Sequence, residues 1–188
     1  MDWSREVALL ASRGVKFAPG LSEGELTAAE QRVGCRFPPD LRSFLQTALP
    51  SDFGWPNWRS PDSSFISERL AWPADGLEFD IRNNSFWWPA WGQRPDDLGD
   101  AIAVMRQHVA AAPPLVPIFR HVSLPADPCE ADNPVLSVYQ ADIIYRGRNL
   151  AEYLGYIGSG EEMMLQRCDE VRHIRFWSEL VEANDGCH

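Results

Sequence analysis

The chain has 188 residues, four cysteines and a formal net charge of −10 at pH 7. A hydrophobic content of 45% supplies a core without staples. The excess of acids weighs against nucleic acid and anionic membrane surfaces as direct partners, because both are held by clustered Lys and Arg.

The N-terminus, Met1-Asp2-Trp3-Ser4-Arg5-Glu6, is too charged for a secretory leader. No apolar run approaches the ~18 residues of a membrane helix. A cytoplasmic chain with reduced Cys35, Cys129, Cys168 and Cys187 is therefore expected. Trp3, Val7 and Leu10 stand at helical spacing, with Gly14 as a stop. Ser22 and Glu25 form a capping box for a second helix, Leu21 and Leu26 a hydrophobic staple, and Gly34 its end. Pro38-Pro39-Asp40 opens a third helix, and Leu41, Phe44, Leu45, Ala48 and Leu49 follow the helical period up to Pro50.

Residues 51–63 read as a long loop, and Ser63 to Leu70 as a short helix. Leu77, Phe79 and Ile81 alternate with Glu78, Asp80 and Arg82, which predicts a half-buried strand with Asp80 in solvent. Phe86 to Trp91 reads as an aromatic extended piece, placed at an edge by Pro89. Leu98, Ile102, Met105 and Val109 predict another helix, and Asp96-Asp97 suit its N-terminus. Short strands are expected over Leu115–Phe119, His121–Leu124, Val135–Tyr139 and Ile143–Tyr145. Asn149 caps a helix with Leu150, Tyr153 and Leu154, a Gly-rich break covers 155–160, and Ile174, Trp177, Leu180 and Val181 mark a last helix. Segregated helices and strands predict one α+β domain over 1–188, with a largely antiparallel sheet.

Motifs for chemistry are sparse. There is no GxSxG elbow, no phosphate-binding glycine pattern and no close pair among His108, His121, His173 and His188. Gly158-Ser159-Gly160 reads as a turn, and Glu161-Glu162 as adjacent acids that point apart. His121 and Cys129 could meet across a loop, and a cleft joining His121, Asp142 and Asp80 would mark an enzyme. Neither a cofactor nor a metal is expected. The unusual feature is aromatic: six of eight tryptophans fall between residues 55 and 91. They either fill the core or anchor a partner. On a strand, Trp87 and Trp88 would face opposite sides. If the chain acts by binding, Trp55, Trp58, Trp87 and Trp91 are the expected anchors, with Asp52, Asp62 and Asp80 as acidic contacts.

Leu21-Ser22-x-x-Glu25, Glu30 and Phe37-Pro38-Pro39-Asp40-Leu41-Arg42-x-Phe44-Leu45 together resemble the N-terminal signature of SMI1/KNR4 (SUKH) proteins. Phe86-Trp87-Trp88-Pro89-Ala90-Trp91-Gly92, Pro114-Leu115-Val116-Pro117-Ile118 and Asn133-Pro134-Val135-x-Ser137-Val138-Tyr139-Gln140-x-Asp142-Ile143-Ile144 resemble bacterial, especially actinobacterial, members. The likeness spans about residues 20–155, with terminal helices added. Leu49-Pro50-Ser51-Asp52-Phe53-Gly54-Trp55 replaces the Gly-rich turn typical of the family. The resemblance implies a twisted sheet flanked by helices and a non-catalytic, immunity-type protein that binds and neutralises a toxin, often a nuclease. An acidic chain would suit a basic toxin domain. The alternatives are a regulatory or scaffold protein with a cellular partner, and an enzyme with an unfamiliar site.

Overall fold

The capping signals act as the sequence predicts. In the computed structural model, which describes residues 1–60, 63–160 and 171–185, helix α1 spans Ser4–Ser12 and strand β1 spans Phe17–Pro19. Helix α2 spans Glu23–Val33. The Ser22 hydroxyl accepts the Glu25 N–H at 3.3 Å, and the Glu25 carboxylate accepts the Ser22 N–H at 2.8 Å. Helix α3 spans Pro39–Thr47 with proline at its first position, where a missing N–H costs little. Its Leu41, Phe44 and Leu45 are buried, each contributing roughly 2 kcal/mol.

Ala48 and Leu49 do not extend α3. They form strand β2, Ala48–Pro50, which pairs antiparallel with β1 in the register Ala18↔Leu49. Pro50 disfavours helical geometry at Leu49, and a strand buries the same side chain.

The largest departure from the sequence reading is helix α4, Ser64–Asn83, which runs unbroken through Pro73 and Gly76. The expected short helix and the expected strand are its two halves. Leu77, Asp80 and Ile81 (i, i+3, i+4) are buried, and Phe79 is 48% exposed. The alternation of Leu77, Phe79 and Ile81 thus gives way to a helical stripe. Phe86 to Trp91 is not a strand either: the chain turns there and closes in a single 3-10 turn, Pro89–Trp91.

Helix α5 spans Leu98–Ala111, and its N-cap Asp97 accepts the Asp100 N–H at 2.9 Å. The main sheet follows as a meander: β3 (Leu115–Phe119), β4 (Val122–Pro125), β5 (Val135–Tyr139) and β6 (Asp142–Gly147), all antiparallel neighbours in chain order. Helix α6 spans Leu150–Ser159 behind its N-cap Asn149. The expected Gly-rich break is therefore helical through Gly158, whose missing side chain lets α6 approach Leu9 of α1; a Cβ there would sit 2.7 Å from the Leu9 Cβ. Helix α7 spans Trp177–Asp185.

The sheet is apolar on both faces. Val116, Val122, Leu124 and Val135 join the core built by α1, α2, α3 and α6. Leu115, Leu136, Val138, Ile143 and Tyr145 join a second core with Leu77, Ile81, Met105, Trp177 and Val181. Helices cover each face, and the chain is α+β.

Candidate functional site

Most of the expected anchors are used internally. Trp55 and Trp58 are buried, packed against Phe119 (ring centroids 4.9 Å apart) and Phe37 (5.1 Å). Trp91 is buried at the centre of Trp87, Trp88 and Phe86. The partly buried Trp87 and Trp88 both pack on Trp91 and do not face opposite ways, and the Trp87 N–H donates to Gly92 O at 2.7 Å. His108 is half-buried and stacks on Trp91.

Asp80 is buried, not a solvated strand acid; its carboxylate accepts the Ala141 N–H at 2.7 Å. Half-buried Asp52 accepts the N–H of Phe53. Asp62, Glu161, Glu162, Cys168, Cys187 and His188 lie outside the described residues. The 51–60 loop and the 83–92 segment adjoin opposite ends of α4. A helix of that length is about 30 Å long, so the two groups of tryptophans do not form one surface.

A different cluster forms at the end of the sheet where both hairpins turn. Helix α4 crosses this end and grips the β5–β6 turn with one stripe of side chains. The Trp72 N–H donates to Val138 O at 2.8 Å, Gly76 lies against Gln140, and Asp80 takes the Ala141 N–H. Two-residue turns, Arg120-His121 and Gln140-Ala141, connect the strands, with Arg120 and Gln140 at positive φ. The preceding loop docks here as well, because Arg120 N–H donates to Gly54 O at 2.7 Å.

The exposed result is a strip of rings and cations. Arg69 lies 4.2 Å over the Trp72 ring, Trp72 is 6.1 Å from Tyr139, and Tyr139 is 6.1 Å from His121. Arg120 lies 5.0 Å over Phe119, which packs on Trp55. Phe53 is 86% exposed and Tyr139 52%. Arg146, exposed on β6, projects to the face opposite Tyr145.

Burial lowers the pKa of His121, helped by the charges of Arg146, Arg120 and Arg69. Among the described residues none of those arginines has an ion pair, and the buried Nε of Arg69 has no hydrogen-bond partner. Arg42, Arg59, Arg82, Arg106, Arg148 and Arg172 by contrast all meet carboxylates.

His121, Asp142 and Asp80 do not share one cleft: Asp80 is committed to backbone, and cations bear on His121. His121 and Cys129 are also separated, since Cys129 contacts Phe37 O beyond the far end of β4. Among the described residues no three His, Cys, Asp or Glu side chains converge as metal ligands. Burial pushes the Cys35 thiol up to about 11, which keeps it protonated and poorly nucleophilic.

The polar residues of the N-terminal signature are structural. Glu30 accepts the Phe37 N–H at 2.8 Å and pairs with Arg42 at 2.6 Å. Buried Asp40 accepts the N–H groups of Leu41 and Asp132. The residues that sequence reasoning missed are Arg69, Arg120 and Arg146. A signal was present at Arg120-His121 and Gln140-Ala141: two-residue gaps between strands without Gly or Asn, where hairpin geometry favours them. The loop between β2 and α4 supplies Phe53.

Comparison of the chain with protein-family models, with curated proteins and with solved structures finds no match. Among the described residues no helix is long and apolar enough to cross a membrane.

Proposed function

We propose that this chain is a non-catalytic, cytoplasmic protein-binding domain of the immunity type, which neutralises a toxin by holding it stoichiometrically. The observation that carries this reading is the strip at the hairpin end of the sheet. Phe53 and Tyr139 are large apolar groups in solvent beside arginines that form no ion pair among the described residues. Aromatic residues and arginine are the types that most often anchor protein interfaces. A chain that keeps them unshielded has a reason other than its own stability.

Three further points support it. The resemblance of residues 20–155 to SMI1/KNR4 (SUKH) proteins implies such a role. The buried carboxylates Asp40 and Asp80 accept backbone N–H groups, which spends them on structure rather than on proton transfer. The net charge of −10 suits a partner with basic surroundings.

The test is a binding titration of the purified chain against proteins encoded beside its gene, followed by a toxicity assay for the one it binds. A stoichiometric complex that suppresses toxicity is expected. Tight binding only to a protein encoded elsewhere would replace immunity with a scaffold role. Turnover of a small molecule by the purified chain would end both readings.

A further inference from the structure

The strip has the opposite sign of charge from the chain that carries it. Arg69, Arg120 and Arg146 come from three separate segments, α4, the β3–β4 turn and β6. Arg69 and Arg120 lie over aromatic rings, which restrains their guanidinium groups. Among the described residues, Asp52 accepts the Phe53 N–H, and Asp142 stands opposite Tyr139 in register.

Arg120 sits at φ +52 in a two-residue turn, a conformation that glycine adopts without penalty and a side-chain-bearing residue does not. Replacing it by glycine would relax the turn.

Resting on the protein-binding reading above, we propose that the β3–β4 turn, with Arg120, Arg69 and Arg146 and with Phe53 and Tyr139 beside it, is the docking surface for an acidic segment of the partner protein. Guanidinium groups bind carboxylates in pairs of parallel hydrogen bonds, and the exposed rings cover the apolar part of such a segment. A protein segment fits better than free phosphate, because the exposed Phe53 and Tyr139 would otherwise have nothing to cover.

The experiment maps backbone amide shifts of the full chain during titration with four probes: poly-L-glutamate, poly-L-lysine, inorganic phosphate and a 20-residue oligo-dT. Poly-L-glutamate is expected to move the amides of Phe53, Arg120, His121 and Tyr139. Arg120→Gly should weaken that binding roughly tenfold, the loss of a charge-assisted hydrogen bond, and should melt no lower than the parent. Arg146→Glu should weaken it also. Arg36→Glu, an exposed arginine in the α2–α3 link, should not.

Equal or tighter binding of oligo-dT or phosphate at the turn overturns the proposal. So does poly-L-lysine binding there, unchanged affinity in Arg120→Gly, or no binding of poly-L-glutamate. If the titration fails while a neighbouring toxin is still bound, the acidic-segment assignment falls and the immunity reading stands. If it succeeds and no protein encoded nearby binds, the immunity reading falls alone.

Discussion

Asp80 places a carboxylate where the chain needs an acceptor. Its partner, the Ala141 N–H, sits in a two-residue turn that no neighbouring strand can satisfy. Asp80→Ala should therefore cost about 1–3 kcal/mol in denaturant unfolding, and Asp80→Asn, which keeps an acceptor, distinctly less. A loss for the alanine variant under about 0.5 kcal/mol would refute this role. Phe53 is the converse case, since it contributes nothing to either core. Phe53→Ala should leave the melting temperature unchanged and weaken capture of the partner by about 2 kcal/mol. These two residues mark what a sequence reveals at this scale. The burial of Trp3, Leu26, Phe44 and Trp177 follows from their spacing, because that spacing is local. Whether Trp55 or Phe53 faces outward depends on Phe119, more than sixty residues away, and no local pattern encodes that pairing.

Among the elements, α4 has the most to teach. Pro73 removes a helix hydrogen bond at a typical cost of about 3 kcal/mol, and Gly76 has poor helix propensity. Both argue for two separate elements, and the alternation of Leu77, Phe79 and Ile81 reinforces them. Contacts across the fold outweigh these signals: Trp72, Gly76 and Asp80 form one stripe against the β5–β6 turn.

Gly76 gives a prediction in which two effects have opposite signs. Alanine should stabilise the helix by about 1 kcal/mol on propensity. Its Cβ, however, would stand 2.9 Å from the Gln140 Cα, a backbone atom that cannot step aside. Overpacking of this kind costs about 1–3 kcal/mol, so Gly76→Ala should destabilise on balance. A variant more stable than the parent would show that the turn yields. The capped helices α2, α5 and α6 were legible because Ser22, Asp97 and Asn149 announce themselves within three residues. The end of α3 was not, because β2 exists only through its pairing with β1.

For the molecule as a whole, acid should erode stability in two pH ranges. His121 is held below its ordinary 6.5 by burial and then by Arg146, Arg120 and Arg69. The unfolded chain thus binds the proton first, and stability falls as pH drops below about 6.5. Glu25 is held at about 2, chiefly by its hydrogen bond from Arg59 and then by the Ser22 N–H, so its contribution is present above 4.5 and lost as pH falls toward 2. Asp40, raised from 3.8 by burial, acts in the opposite direction just above that value. Melting temperatures from pH 7.5 to 5 should decline in the parent and stay flatter in His121→Gln; equal slopes would exclude His121 as the cause.

The α+β class was legible from the segregation of helical and alternating segments. That the sheet would be covered on both faces was not, since it depends on which helices return to which side.

Ile66 and Leu70 of α4 lie in one core, and Leu77 and Ile81 of the same helix lie in the other. This single rod is therefore common property of two apolar interiors that the sheet keeps apart. Neither can melt without withdrawing half of the rod from its neighbour. Scanning calorimetry should accordingly record one endotherm with matching van't Hoff and calorimetric enthalpies, and severing the backbone next to Pro73 should split it into two.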